Sequence, residues 1–219
     1  MRRDFIYFFR ISRPMNVLVS VLAFGLACYL THGRSLRFLS DVPFWAAAFT
    51  IAIIAATGYW INDVHDFRID RINKPRRTIV NAHLSVKKVL TLYFGLTGGV
   101  LLFSLLYFGF YLGKPNVSFI NFLSVFLLFI YAGYLKRVGV AGNLTIAFLI
   151  ALVLFMSYYL YGVVRMSLIW SIVFAFQITL IREITKDVED IRGDLAYHLR
   201  TLPIQIGVRA TQKVLAGLY

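Results

Sequence analysis

Asn62-Asp63-Val64-His65-Asp66-Phe67-Arg68-Ile69-Asp70 ends a long apolar run and leads into a basic loop. A sister stretch, Asp187-Val188-Glu189-Asp190-Ile191-Arg192-Gly193-Asp194, stands near the end of the chain. Each carries carboxylates at i, i+3 and i+7, a spacing that sets all three on one face of a helix. The chain has ten acidic residues. Eight of them fall in these two regions: Asp63, Asp66, Asp70, Glu183, Asp187, Glu189, Asp190 and Asp194, leaving only Asp4 and Asp41 outside. Charge that merely solubilises a surface would be spread along the chain.

The remainder is apolar. The sequence is 59% hydrophobic and 15% charged, with a mean hydropathy of +0.73, which excludes an ordinary soluble domain. Six apolar stretches, near residues 17–31, 43–61, 89–112, 119–135, 144–163 and 168–180, read as membrane spans. Lipid offers the backbone no hydrogen bonds, so these are expected to be helices, and no run of alternating polarity suggests a barrel. The expected fold class is all-α: a multi-span transmembrane bundle forming one membrane-embedded domain, residues 1–219. Gly95, Gly98 and Gly99 are expected to permit close helix packing. Residues 210–219 look like the start of a seventh span, too short to cross a bilayer, and suggest a truncated chain. Cys28 is the single cysteine, so neither a disulfide framework nor a cysteine metal site is available. The first span lacks a small-residue cleavage site and is followed by more spans, unlike a signal peptide.

The formal net charge is +13. In a membrane protein such charge first reports orientation. Arg2, Arg3, Arg10 and Arg13 precede the first span. Arg68, Arg71, Lys74, Arg76 and Arg77 follow the second, Lys136 and Arg137 the fourth, and Lys186, Arg192 and Arg200 the sixth. The alternate loops hold only Arg34 and Arg37, then Lys114, then Arg165. The N-terminus and both acidic stretches are therefore expected on the cytoplasmic side, at the inner membrane if the source is bacterial. No nucleic-acid partner is expected.

The basic, aromatic segment before the first span reads as a helix lying at the membrane interface. Arg13 stands at the membrane edge, and Asn16 is a polar residue just inside the apolar run; such residues usually face an interior cavity. The second span is expected to continue as helix through Asp70, with Pro75 opening the cationic loop beyond. His65 lies off the carboxylate face and reads as an ordinary interfacial histidine. Phe148, Phe155, Met156 and Tyr158 read as packing or lipid contact.

Six carboxylates from two helices on one membrane face would repel if brought together unpaired, and burying them so is costly. A divalent cation resolves this. All-oxygen donors (Asp63, Asp66, Asp70, Asp187, Asp190, Asp194) favour a hard ion, Mg²⁺, which also takes phosphate oxygens. Lys74, Arg76, Arg77, Lys136, Arg137 and Lys186 are candidates to complete a diphosphate site. The combination suits departure of a diphosphate leaving group, whose charge the metal and cations neutralise. The intramembrane setting implies a lipidic tail on the substrate.

These residues resemble the UbiA superfamily of intramembrane prenyltransferases. Its NDxxDxxxD motif is met by Asn62, Asp63, Asp66 and Asp70, and its KPxR segment by Lys74, Pro75 and Arg77. Tyr131, Lys136, Gly142 and Asn143 are similar to its segment after the fourth helix. Asp187, Asp190 and Asp194 meet the second motif, Thr201 to Pro203 resemble the following T-L-P, and Arg13, Pro14 and Asn16 resemble the first-helix signature. The resemblance implies a bundle around a central cavity, with Mg²⁺ bridging both motifs to a polyprenyl diphosphate. Asp66, Asp190 and Tyr131 would be catalytic, Tyr131 by facing the allylic cation. Arg13, Asn16, Asn62, Lys74, Arg77, Lys136, Arg137 and Lys186 would bind substrate. The acceptor would be lipid or aromatic. The Arg182-to-Asp194 form looks most like the branch transferring geranylgeranyl groups to a glyceryl phosphate lipid precursor, with the aromatic, quinone-pathway branch as the rival. The family usually has nine spans, against six and a stub here.

Three other classes compete. A metal or ion transporter would place its acids nearer the bilayer midplane than helix ends. A CDP-alcohol phosphotransferase would carry a DGxxAR opening, which is absent. A purely structural membrane protein leaves the clustered acids unexplained.

Overall fold

The structure, a computed structural model, describes residues 2–73, 75 and 78–219. The six expected spans are six long apolar helices. After a short helix α1 (Arg2–Ile11) come α2 (Pro14–Thr31), α3 (Val42–Asn73), α4 (Val86–Ser104), α5 (Pro115–Gly133), α6 (Ala141–Tyr161) and α7 (Met166–Glu189). Three short helices follow: α8 (Ile191–Ala196), α9 (Leu202–Ile206) and α10 (Val208–Leu218). Helix α4 runs on through a π-helical turn, Leu105–Tyr111.

The boundaries follow local chemistry. Pro14 and Pro115 sit in the first turns of α2 and α5, where the missing N–H costs nothing. Ser85 caps α4 by accepting from Lys88 N at 3.3 Å. Arg13, just before Pro14, has φ 50 and ψ 62, a left-handed conformation costing about 1–2 kcal/mol outside glycine. It turns the chain sharply between α1 and α2. Helix α1 leaves Phe5 and Phe9 exposed, while Ile11 is buried against Trp60 and Ile79.

Helices α2, α3, α5 and α6 form a central four-helix ring, with α4 packed outside α3 and α5, and α7 outside α6 and α2. One buried cluster, including Phe24, Phe44, Phe108, Val117 and Met156, fills the end far from the acidic stretches. Another, including Ile11, Trp60, Val80, Leu84 and Tyr93, seals α1 and the turn after Ile79 against α3 and α4. Between α3, α4 and α5, Asn121 Nδ2 donates to Ser104 Oγ at 2.8 Å and Thr50 Oγ1 at 3.3 Å, and Ser118 Oγ donates to the Ser104 carbonyl at 2.7 Å. Such buried polar ties hold helices together where lipid gives little hydrophobic drive.

Two expectations need correction. Gly95, Gly98 and Gly99 are exposed, and a Cβ on any of them would meet nothing within 4 Å, so among the described residues they bring no helices together. The close approach is at Gly58, where a Cβ would lie 2.8 Å from Leu128 Cδ1. The second acidic stretch does not lie on one helix: α7 ends at Glu189, Asp190 has φ −91 and ψ 4, and Asp194 belongs to α8. The first acidic stretch does continue its helix, as its spacing predicts. The 32 residues of α3 reach about 48 Å, against about 30 Å of hydrocarbon, so its last three turns project beyond the span.

Candidate active site

A cavity of about 830 Å³ opens where α3 and α7 end. The overhang of α3 contributes Asn62, Asp63, Asp66 and Asp70 to its wall, and α7 and its C-terminal end contribute Arg182, Lys186, Glu189 and Asp190. Arg10, Arg13 and Asn16 enter from the α1–α2 turn, and Lys136 from the turn after α5. Residues far apart in sequence thus meet at one end of the bundle, as their charge pattern predicts.

Asp66 is 4% exposed. It accepts from Asn62 Nδ2 at 2.7 Å and is in short contact with Lys136 Nζ. Burial disfavours the Lys136 charge, but Asp66, Tyr131 and Asp70 outweigh it and raise its pKa above the ordinary lysine value. Arg13 Nη2 donates to Asp63 Oδ1 at 2.7 Å, and the guanidinium lies 4.7 Å from the Tyr59 ring centroid. Burial likewise opposes the Arg13 charge, and Asp63, Tyr59 and Asp70 overcome it. Among the described residues, Asn62 Oδ1 is buried with no hydrogen-bond partner, an orphaned hard-oxygen acceptor beside the carboxylates.

The remaining sites are dispersed. Asp187 Oδ2 accepts from Asn143 Nδ2 at 2.8 Å, on the α6 side, outside the cavity wall. Asp194 is 4% exposed and also outside the wall; burial raises its carboxyl pKa to about 6. Tyr131 is buried at the end of α5, outside the cavity lining. Arg137 borders a different cavity of about 350 Å³ with His65, Arg68 and Tyr197, because the 3₁₀ turn Leu135–Arg137 sends successive side chains to different sides. His65 is exposed there, as expected of an interfacial histidine. Lys74, Arg76 and Arg77 lie outside the described residues.

Among the described residues, no group of three His, Cys, Asp or Glu side chains stands close enough to hold a metal ion. Lys136, Arg13 and amide donors take up the charge of Asp66, Asp63 and Asp187 instead. The oxygen-only donor set and the orphaned Asn62 Oδ1 nevertheless fit a hard divalent cation. Sequence reasoning did not single out Arg10, Arg182 or Glu189 as site residues; nothing in their local spacing separates them from anchoring charges.

Known proteins resemble this chain in sequence and in fold. The family model described as UbiA prenyltransferase family matches residues 17–219. Among curated relatives, a digeranylgeranylglyceryl phosphate synthase of Metallosphaera sedula is 39% identical over 206 residues, covering 89% of this chain and 68% of the relative. One from Methanothermobacter thermautotrophicus is 35% identical over 204 residues, covering 92% and 67%. Among solved structures, a UbiA homologue from Archaeoglobus fulgidus bound to DMAPP and Mg²⁺ superposes with a TM-score of 0.73 at 17% identity, covering 96% of this chain and 73% of that one. A second, from work on a digeranylgeranylglyceryl phosphate synthase in membranes, has a TM-score of 0.74 at 23% identity, covering 99% and 74%. The family match over residues 17–219, on a fold of six membrane helices with both acidic stretches at one end, makes this chain an integral membrane enzyme that belongs to the UbiA prenyltransferase family.

Proposed function

We propose that this chain transfers a geranylgeranyl group from its diphosphate to a glyceryl phosphate lipid, with Mg²⁺ as cofactor. The observation that carries this reading is that the M. sedula and M. thermautotrophicus relatives, 39% and 35% identical along most of the chain, are both digeranylgeranylglyceryl phosphate synthases. The cavity supports it, with carboxylates and cations together in its lining.

In this reading Asp63, Asp66, Asp70 and Asp190 would hold Mg²⁺, with Asp187 and Asp194 completing the charge from behind the wall. Bound there, the ion would supply neutralisation of the negative charge that develops on a departing diphosphate. The protein's own cations add to that neutralisation. Lys136, Arg13 and Lys186 approach phosphate oxygens, joined by Lys74 and Arg77 of the basic loop. Asn62 orients Asp66 through its amide, and Asn16 contributes a polar contact at the membrane edge. Tyr131, which lies outside the cavity lining in this structure, would offer its ring to the positive charge that develops on the allylic carbon. Arg137 is assigned no phosphate contact, since it borders the other cavity. The chain acts as one membrane-embedded domain with its N-terminus and both acidic stretches cytoplasmic, which the basic-residue bias supports.

Acceptor competition tests this reading. Purified protein in nanodiscs is given geranylgeranyl diphosphate, Mg²⁺ and either geranylgeranylglyceryl phosphate or 4-hydroxybenzoate, and products are identified by mass. The proposal predicts alkylation of the glyceryl phosphate lipid. Alkylation of the aromatic acid alone would assign the chain to the quinone-type branch.

A further inference from the structure

We infer that Asn73 is a positioning residue that joins the two acidic stretches and sets the Asp190 carboxylate on the cavity wall. The need for such a tie follows from the packing. Helices α3 and α7 flank the cavity without extensive contact, and α3 meets the second stretch through α8 instead. Asn73 is the last residue of α3. Its Nδ2 donates to the Asp190 carbonyl at 3.0 Å, and its Oδ1 accepts from Gly193 N at 2.7 Å. One side-chain amide therefore grips both sides of the α7–α8 break.

The second bond has a specific consequence. The first N–H groups of a helix lack partners within it, and an Asp at the N-cap ordinarily accepts from the N–H three residues on. At α8 the N-cap is Asp190, and that N–H belongs to Gly193. Yet the Asp190 side chain makes no capping bond; Asn73 takes the donor from outside the helix. The Asp190 carboxylate is thereby kept out of the cap, on a residue that lines the cavity. Gly193 is the matching half of the device. A Cβ there would lie 2.4 to 2.6 Å from three atoms of the Asn73 amide, closer than any real contact. Only glycine admits the clasp.

This inference rests on the proposed metal-binding role of the carboxylates, and the test separates the two. Mn²⁺ binding to detergent-purified protein, without prenyl substrate, is titrated by loss of the free-ion EPR signal, and turnover is measured alongside. Asn73→Ala and Gly193→Ala are each expected to weaken Mn²⁺ binding and turnover by about 10- to 100-fold, the usual effect of removing a residue that orients a ligand. The double variant is expected to be no worse than either single one, because both remove the same clasp. Alanine is a better helix former than glycine, so a loss in Gly193→Ala cannot come from a weakened α8; if Asn73→Ala fails to fold, Gly193→Ala alone decides. Wild-type Mn²⁺ affinity in either single variant, or losses that multiply in the double variant, would overturn the clasp. Failure of the wild-type protein to bind Mn²⁺ would instead overturn the metal reading beneath it.

Discussion

Asp66 and Lys136 show how a residue pair serves stability and chemistry together. Both are largely removed from solvent, with side chains 6% and 20% exposed. Replacing only Lys136 leaves a buried carboxylate supported, among the described residues, by Asn62 alone. Lys136→Met is expected to destabilise the protein by about 3 kcal/mol in a reversible SDS titration, and adding Asp66→Asn is expected to restore most of that loss. If the single and double variants unfold alike, the pair contributes no coupling. Asp190 differs in having a carboxylate on the cavity wall outside the α8 cap. Asp190→Ala is therefore expected to lower turnover on the order of 10²-fold or more while circular dichroism keeps the helical spectrum. At this scale the sequence was informative where charge is concentrated, as at Asp63, Asp66 and Asp190. It was silent on Asn73, whose partners Asp190 and Gly193 are brought to it only by tertiary packing.

Among the elements, α3 carries the most information. Its apolar run and its i, i+3, i+7 acids share one helical period, so both the span and its projection beyond the membrane could be read in advance. The α7–α8 break could not, because the same spacing at Asp187, Asp190 and Asp194 fits a continuous helix equally well; the contact of Asn73 across the break exists only once the helices are packed. Glycine spacing also misleads for a physical reason: composition names small residues without saying which face they occupy. Gly58→Val is expected to force Leu128 aside and cost about 1–3 kcal/mol, whereas Gly98→Ala, with open space at its Cβ, is expected to leave the melting temperature within about 2 °C. A large loss at Gly98 with none at Gly58 would reverse the packing described.

Over the whole molecule, four central helices with two flankers bring both acidic stretches to one end. The class and span number were legible because membrane insertion imposes so strong a constraint on the backbone. The cavity walls were less so, since Arg10 and Arg182 look like any other anchoring charge until the helices are assembled. Orientation is testable because the single cysteine, Cys28, is buried. Asn116→Cys, at the end opposite the cavity, is expected to react with an impermeant maleimide in intact cells, and Ala196→Cys only after lysis. The opposite pattern would invert the topology. The most direct test of the central claim is diphosphate release from geranylgeranyl diphosphate by purified protein with geranylgeranylglyceryl phosphate, with and without Mg²⁺, and the mass of the lipid product. Release is expected only when Mg²⁺ is present, matched one for one by a doubly geranylgeranylated glyceryl phosphate. Metal-independent release, or no alkylated lipid from folded protein that binds both substrates, would contradict the proposed reaction.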